Sequence, residues 1–255
     1  MKKTISIINQ KGGVGKTTTA INLGAALALS GMKVLLIDLD PQCNLTFSLG
    51  VSKTSDKSIV EVLIGKVSIS EAIVKTDDNL YILPGKVSIA TVEKEFPEGV
   101  PTGDILKTYL SELEDFDYIF LDCPPSLGFL SVNALIAANE VIIPLIPEVL
   151  PFEGLAQLKQ TIDLIKKFSN PDLKIAGIIA TRFDSRKNLY KTVLEQIKIN
   201  FPELLFETVI RENVSLSETP AANKSIFAYR VESNGAEDYL NLCKEYLLRS
   251  SRNVK

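Results

Sequence analysis

Residues 9–18 read Asn-Gln-Lys-Gly-Gly-Val-Gly-Lys-Thr-Thr and lie between the apolar run Thr4–Ile8 and the helix-periodic segment Thr17–Ser30. A strand, a glycine-rich turn and a helix N-terminus in this order direct several backbone N–H groups and the positive end of the helix dipole at one point, where they can hold a phosphate. Lys16 would supply a charge to the β and γ phosphates, and the Thr17 hydroxyl can ligate Mg²⁺. The stretch therefore predicts a nucleotide site; the alternative is a glycine-rich turn that only packs.

The loop departs from the standard phosphate-loop pattern G-x-x-x-x-G-K-[ST]. Gln10 stands at the first glycine position, and Lys11 adds a second lysine, so that the loop reads K-G-G-V-G-K-T-T. The residues predicted to hold the phosphates are Gly12, Gly13, Val14, Gly15, Lys16, Thr17 and Thr18.

Short apolar runs bounded by turn residues alternate with segments of helical period such as Gly154–Phe168, as in parallel strands joined by crossover helices. No internal repeat and no linker rich in Pro, Gly or Ser divides the chain. We therefore predict one α/β domain over residues 1–255, a doubly wound, mostly parallel sheet with helices on both faces, with residues 250–255 as a flexible tail. Insertions and short helices are expected in Val51–Asp78 and Pro84–Pro101. The predicted strands are Thr4–Ile8, Lys33–Asp38, Leu80–Leu83, Tyr118–Asp122, Glu140–Ile146, Lys174–Thr181 and Glu207–Ile210.

The composition excludes several kinds of site. Of the 255 residues 45% are hydrophobic, and 28 Lys and Arg stand against 31 Asp and Glu, so the net charge of −3 gives no overall attraction to nucleic acid or anionic lipid. Histidine is absent and there are three cysteines. A disulfide framework, a Cys/His zinc site and every nucleophile paired with histidine are thereby excluded, which leaves carboxylates, lysines, hydroxyls or a bound metal for catalysis. We expect a reduced, cytoplasmic protein, and no apolar run has the length of a membrane span.

Three aspartates end predicted strands. Asp38 and Asp40 close the second strand, and Asp122 closes the run Tyr118–Asp122. Ligands of open α/β sheets bind at the carboxyl ends of the strands, so these carboxylates can organise Mg²⁺ and an attacking water beside the phosphate loop. The alternative for each is a helix N-cap or a turn residue.

The motif K-G-G-V-G-K-T-T resembles the deviant Walker A motif of the ParA/MinD ATPases. Three further blocks, Leu35–Asn44, Tyr118–Gly128 and Asn213–Tyr246, are similar to the ParA (Soj) branch, which segregates bacterial chromosomes and plasmids. The resemblance covers essentially the whole chain. It implies a P-loop fold, ATP and Mg²⁺ as cofactors, and slow ATP hydrolysis that a ParB-type partner stimulates.

The resemblance also implies a role for each site residue. Asp40 would orient the attacking water, Asp38 would lie near the metal, and Asp122 fits a Walker B carboxylate that binds Mg²⁺ together with Thr17. Lys11 would cross a dimer interface to the partner's phosphates, so that ATP holds a sandwich dimer together and hydrolysis resets it. The alternative for Lys11 is a solvated charge at the edge of a loop.

Binding to DNA would depend on a local patch. Five basic residues against two acidic ones give the segment 182–198 a net charge of +3, and the resemblance places Arg186 on an arginine that the Soj branch uses for DNA. The alternative is a solvated helix face. The segment 210–218 departs from the family: Ser215 replaces a second DNA-linked arginine, and Arg211 replaces the usual proline beside adenine. Asn213 carries over as a neighbour of the base or ribose. The basic residues of the patch are Arg182, Arg186, Lys187, Lys191 and Lys198.

Two other functions stay open. A MinD-like ATPase acting at a membrane would need a terminal amphipathic helix. The apolar stripe of Gly235–Leu248 is instead predicted to dock on the sheet, so no membrane partner is expected. A positioning or regulatory switch that binds ATP on a protein scaffold would carry the same nucleotide site. DNA binding would place the protein on the nucleoid.

Overall fold

The computed structural model describes residues 2–52, 54–96, 103–148 and 151–252. Its seven strands form one sheet in the order β3-β4-β2-β5-β1-β6-β7. Every neighbouring pair is parallel except β3 and β4. The predicted fold class is thereby confirmed. The strands are β1 Lys3–Ile7, β2 Val34–Asp38, β3 Val74–Asp77, β4 Leu80–Leu83, β5 Tyr118–Asp122, β6 Glu140–Leu145 and β7 Lys174–Ala180.

Helices connect the strands and cover both faces of the sheet. A 3₁₀ helix, Val87–Glu95, lies within the predicted insertion after β4. The α-helices are α1 Lys16–Leu29, α2 Asn44–Ser48, α3 Ile59–Leu63, α4 Ile69–Ala72, α5 Ile105–Ser111, α6 Phe129–Ala137, α7 Pro151–Phe168, α8 Asn188–Asn200, α9 Val214–Ala222, α10 Ile226–Tyr229 and α11 Asn234–Arg252.

Each central strand contributes side chains to two hydrophobic cores. In β2, Leu35 and Ile37 join the core under α3, α5, α6 and α7, whereas Val34 and Leu36 join the core under α1 and α11. Successive side chains of a strand point to opposite faces, so a strand that is apolar throughout requires a helical layer on each side. This explains why the continuous apolar runs of the sequence become buried central strands.

The sheet brings the carboxyl ends of β1, β2 and β5 together. Asp38 pairs in register with Asp122, and Ile7, the last residue of β1, also pairs with Asp122. The turn that follows β1 therefore lies beside both aspartates, at the edge where open sheets bind ligands.

Two predictions about strands need correction. Glu207–Ile210 is not a strand: isolated bridges flank it, from Ile178 of β7 to Leu205 and from Phe183, beyond β7, to Arg211, and the Ile210 N–H donates to the Ala180 carbonyl at 2.8 Å. The Phe206 ring lies over Gly177, where a Cβ would come within 2.4 Å of it, so the segment packs on β7 through this ring. In contrast, Val74–Asp77, in a segment predicted to contain insertions and short helices, forms an antiparallel edge strand. Its side chains are largely exposed, so its sequence does not show the apolar alternation that marks a strand.

The end of the chain also differs from the prediction. Helix α11 continues to Arg252, so residues 250–252 of the predicted tail are helical, and residues 253–255 lie outside the described part. The apolar stripe of α11, with Tyr239, Leu242, Cys243 and Tyr246, is buried in the core against the sheet, as the sequence predicts, whereas Leu248 is exposed. Among the described helices, none combines the length and the apolar character required to cross a membrane.

Candidate nucleotide site

The phosphate loop follows a path that only glycine adopts easily. Gly13 and Gly15 have φ angles of 73° and 84°, in the left-handed region, and Gly15 directly precedes α1. A Cβ built at Gly12 or Gly13 would have no other atom within 4 Å. The loop is therefore open on the side of these glycines, with room for a ligand next to the start of α1.

Polar contacts from distant segments fix the loop. The Asn9 side-chain amide donates to the Pro144 carbonyl at 2.7 Å, and the Asn9 side-chain oxygen accepts from the Lys11 N–H at 3.0 Å. The Thr181 hydroxyl donates to the Val14 carbonyl at 2.8 Å. The Val14 side chain is buried in a small apolar cluster. Val14 can thus offer a ligand only its backbone, and its side chain anchors the loop.

Lys16 is a buried cation. The residue is only 7% exposed, and its Nζ donates to the Lys11 carbonyl at 3.4 Å. Among the described residues, no carboxylate forms an ion pair with it. Burial lowers the pKa of the Lys16 ammonium, and the nearby Asp122 and Asp40 carboxylates oppose this shift. A buried ammonium without an ion-pair partner favours the binding of an anion.

Asp122 has one carboxylate oxygen without a partner. Oδ2 accepts a hydrogen bond from the Thr17 hydroxyl at 2.7 Å, whereas Oδ1 is buried with no hydrogen bond. Burial and the charge of Asp38 raise the pKa of Asp122 well above its usual value, while the Thr17 hydroxyl and the Lys16 ammonium oppose the shift. A buried polar atom in this state indicates a missing partner.

The donor set fits Mg²⁺. Mg²⁺ is typically held by one or two carboxylates together with substrate phosphates and waters, and Thr17 and Asp122 lie together beside the phosphate loop. No cluster of three or more His, Cys, Asp or Glu side chains that could hold a metal ion occurs within the described ranges.

Asp38 is engaged by protein donors. Its Oδ2 accepts from the Thr46 N–H at 2.8 Å and the Thr46 hydroxyl at 2.6 Å, and its Oδ1 accepts from the Asp40 N–H at 3.2 Å. A Cβ at Gly85 would lie 2.9 Å from the Asp38 carboxyl carbon, so this side is closed. Burial raises the pKa of Asp38 to about 6, against the hydrogen bonds from Thr46. In this arrangement Asp38 organises the turn after β2.

Asp40 lies nearer to the open space. Its Oδ1 accepts a hydrogen bond from the Gln42 N–H at 2.9 Å, as expected for a turn residue. Asp40 also lines the cleft at the phosphate loop. The following Cys43 is buried with a φ of 52° and precedes α2. This position thus holds a side chain in a left-handed conformation that glycine adopts at lower cost.

A cleft of about 600 Å³ extends from the phosphate loop to the segment 210–213. At its far end the Asn213 side chain caps α9 by accepting the Leu216 N–H at 3.3 Å. Arg211 also lines the cleft, but its guanidinium is bound by Asp238 and Glu237 of α11. Sequence reasoning missed Thr181 and Asp238, because no motif marks residues whose partners lie far away in the sequence.

Lys11 points away from this cleft. Its Nζ forms an ion pair with Glu148 at 2.6 Å, with the two side chains 57% and 47% exposed. The Lys11 ammonium lowers the pKa of Glu148. Lys11 is absent from the residues that line the cleft of its own chain, in contrast to Lys16.

Carboxylates hold much of the predicted basic patch. Arg186, whose side chain is 88% exposed, donates from Nε and Nη2 to Asp184 at 2.9 Å each, and these bonds lower the pKa of Asp184 to about 2. Arg182 pairs with Glu212 at 3.3 Å and Lys198 with Glu207 at 2.9 Å. Glu207 and Glu212 lie outside the sequence window 182–198, so the local charge is less positive than the window predicts.

The second altered position has an arginine beside it in space. Ser215 is buried, and its hydroxyl accepts from Arg230 Nη1 at 3.3 Å. Arg230 is exposed and, within the part of the chain that the structure describes, forms no ion pair. A guanidinium is thus present near position 215 although the sequence there encodes serine.

Known proteins are similar to this chain in both sequence and fold. A family model described as AAA domain matches residues 2–175. The chain is 44% identical to the sporulation initiation inhibitor protein Soj of Bacillus subtilis over 248 residues, 96% of this chain and 98% of that protein. It is 43% identical to the chromosome partitioning protein ParA of Myxococcus xanthus over 252 residues, 98% of this chain and 89% of that protein. The solved structure of cobyrinic acid a,c-diamide synthase from Mycobacterium smegmatis, with bound ATP analogue and magnesium, has a TM-score of 0.86 at 37% identity and covers 100% of this chain and 98% of that chain. Because the similarity to Soj and ParA extends over nearly the whole chain, the protein belongs to the ParA/Soj-type family of partition ATPases.

Proposed function

We propose that this protein is a Mg²⁺-dependent ATPase that dimerises around ATP and acts in chromosome or plasmid partition. The observation that carries the proposal is the unpartnered Oδ1 of Asp122, buried beside Thr17 at the phosphate loop. A magnesium ion bound to a triphosphate would give this oxygen its missing partner. Soj and ParA, with which the chain is aligned almost end to end, are named for roles in sporulation control and chromosome partitioning.

Each side chain has a distinct task in this proposal. The backbone of Gly12–Thr18 and the Lys16 ammonium bind the phosphates, and Thr17 and Asp122 hold Mg²⁺, which neutralises charge that develops on the phosphates. Asp40, at the edge of the cleft, orients the attacking water. Phosphoryl transfer needs positioning and charge neutralisation more than a strong base, so the absence of histidine is no obstacle.

Dimerisation around ATP is tested through Lys11. If Lys11 reaches the partner's phosphates, it must first leave Glu148. We expect Lys11→Ala to abolish the dimer that forms with ATP. We expect Glu148→Gln to strengthen that dimer by about two- to fivefold, because an exposed ion pair contributes less than about 1 kcal/mol. Sedimentation velocity with and without Mg-ATP measures both effects, and Lys75→Ala, which breaks an exposed pair with Asp78, is the control. ATP-dependent dimerisation that is unchanged in Lys11→Ala contradicts the role in trans.

The ATP-bound dimer is proposed to bind DNA without sequence specificity, and a ParB-type protein is the proposed activator of its ATPase. The exposed Arg186 and Arg230 support this, since affinity for DNA depends on arginine and lysine near the phosphates. A gel shift with the Asp40→Ala protein and ATP, at low and high salt, tests DNA binding, and steady-state ATPase with DNA and a candidate ParB tests activation. Retention that weakens steeply with salt is expected. Absence of a shift at low salt contradicts DNA binding and leaves the ATPase proposal intact.

A second candidate is a positioning ATPase that acts on a protein scaffold without DNA. It is favoured by the pairing of Arg182, Arg186 and Lys198 with carboxylates, which reduces the charge available to DNA phosphates. The same gel shift separates the two candidates. Flotation with anionic liposomes and ATP tests action at a membrane; the burial of the α11 stripe argues against this helix as the anchor.

A further inference from the structure

Arg211 joins one wall of the cleft to the C-terminal helix. Its Nε donates to the two carboxylate oxygens of Asp238 at 2.9 and 3.0 Å, and its Nη2 donates to Asp238 Oδ1 and Glu237 Oε2, each at 2.6 Å. The backbone N–H of Arg211 also donates to Asp238 Oδ2 at 2.9 Å. Side chain and main chain of one residue thus bind one carboxylate, which leaves the segment 210–213 little freedom to move relative to α11.

The Asp238 side of the pairing is shielded from solvent. The Asp238 side chain is only 7% exposed, whereas the Arg211 side chain is 40% exposed and lines the cleft. Hydrogen bonds between a guanidinium and a carboxylate are among the stronger polar contacts, and their fork geometry fixes orientation as well as distance. Arg211 therefore lies at the cleft in a defined position rather than as a mobile surface side chain.

The next residue of α11 contacts the opposite end of the cleft. The Tyr239 hydroxyl lies 3.2 Å from Thr19 Oγ1, and the Thr19 N–H donates to the Gly15 carbonyl at 2.9 Å in the first turn of α1. Tyr239 is fully buried and also lines the cleft. Two consecutive residues, Asp238 and Tyr239, thus connect the segment 210–213 to the helix that carries the phosphate loop.

A third contact joins α11 to the helix that Asn213 caps. A Cβ at Gly235 would lie 2.7 Å from Leu216 Cγ, so the first turn of α11 packs directly on α9. The start of α11 therefore contacts α1, α9 and the segment 210–213. The separation between the phosphate loop and the far end of the cleft depends on this helix.

We propose that Arg211 is a positioning residue for the base and ribose of the bound nucleotide, acting through Asp238. The inference rests on the proposed nucleotide-binding function. It assigns recognition of the base and ribose to the end of the cleft at the segment 210–213. By tying the segment 210–213 to α11, the pair fixes the wall of the cleft opposite the phosphate loop, where a nucleoside attached to the triphosphate would lie. The phosphate loop itself needs no contribution from Arg211.

Calorimetric titration of the full chain with Mg-ATP and with Mg-tripolyphosphate tests the proposal. Arg211→Lys keeps the charge but loses the fork, so we expect the Kd for ATP to rise about five- to tenfold and the Kd for tripolyphosphate to stay within about twofold. The double variant Arg211→Leu with Asp238→Leu removes both partners and avoids an unpaired buried carboxylate, and it should show the same split.

The matched control is Arg249→Lys. Arg249 also pairs with a carboxylate of α11, Glu245 at 2.7 Å, but it lies outside the cleft. It should leave both affinities unchanged. Equal weakening of ATP and tripolyphosphate, or no change for either ligand, would overturn the positioning role of Arg211. If the unmodified protein binds neither ligand, the proposed nucleotide site itself is overturned. This result differs from a failure of the Arg211 proposal alone, in which the unmodified protein still binds both ligands.

Discussion

The phosphate end of the cleft and the basic segment 182–198 both contain charged side chains, but the charges are in different states. At the phosphate end, Lys16 is buried without an ion pair among the described residues, and Asp122 keeps a buried oxygen without a hydrogen bond. In the basic segment, three of the five cations are paired with carboxylates. A charged or polar group that is buried without a partner costs free energy, whereas an exposed charged group is solvated and its ion pair contributes little. Charge count alone therefore does not identify a ligand site; the missing partner does.

The largest effect is expected from Lys16→Ala. In the proposed site the buried ammonium is the main charge that would face the phosphates, so we expect its loss to raise the Kd for Mg-ATP at least about 100-fold. Calorimetric titration measures the change. Lys191→Ala, which removes an exposed lysine of the basic segment, is the control and should leave the affinity unchanged. Equal affinities for Mg-ATP in the two variants would mean that the buried Lys16 contributes no more to nucleotide binding than the exposed Lys191.

Asp122→Asn tests the cost of the buried carboxylates. The pKa values of Asp38 and Asp122 are raised, so at pH values above about 4 the native state holds more protons than the unfolded chain. The free energy of unfolding of the nucleotide-free protein therefore falls as the pH rises through about 6. We expect Asp122→Asn to lose less stability between about pH 5 and 8, by about 1 kcal/mol or more, and to lose the stabilisation by Mg-ATP.

Denaturant unfolding at several pH values measures this difference. Asp115→Asn is a suitable control, because the Asp115 side chain is 88% exposed. Parallel pH profiles for the unmodified protein and Asp122→Asn would show that folding does not raise the pKa of Asp122.

Asp184→Asn makes the basic segment more like the phosphate end, because it removes the charge that pairs with Arg186. We expect the affinity of the ATP-bound protein for DNA to rise about two- to threefold at low salt, and the dependence of log affinity on log salt to steepen by up to about one unit. Fluorescence anisotropy with duplex DNA measures both quantities. Adding Arg186→Ala should cancel the gain; a gain that persists would assign the effect to another residue.

The smallest effect is expected at Cys43, beside the phosphate end. Because Cys43 has a φ of 52°, Cys43→Gly relieves a left-handed conformation, although glycine is more flexible in the unfolded chain. We expect a net gain of about 0.5 kcal/mol in the free energy of unfolding. Cys123→Ala, at an equally buried thiol without a positive φ, should destabilise instead. A loss of stability in Cys43→Gly would show that thiol packing outweighs the backbone term.

Local patterns predicted the parts of the structure that depend on neighbours in sequence. Six of the seven predicted strands are present with shifts of about one residue at their ends, and the phosphate loop lies where the spacing of Gly13, Gly15 and Lys16 places it. The exception, Glu207–Ile210, has strand-like residues but meets β7 only at separate points. Edge contacts of this kind depend on shapes such as Phe206 over Gly177, which no local pattern encodes.

The partners of the charged residues were not predictable in the same way. Glu148 lies 137 residues from Lys11, and Asp238 lies 27 residues from Arg211. A one-dimensional window over residues 182–198 also omits Glu207 and Glu212, which neutralise part of its charge. Whether a cation is available to a ligand depends on these distant carboxylates.

The sequence by itself determined the loop, the helix that follows it and the apolar strands, because glycine conformation, helix polarity and side-chain alternation act over a few residues. Only the tertiary structure decided that Asp122 keeps an unused oxygen, that Asp38 is bound by Thr46, and that Arg211 is tied to α11. Hydrogen bonding and burial depend on which chain segments meet in space, and the sheet order brings those segments together.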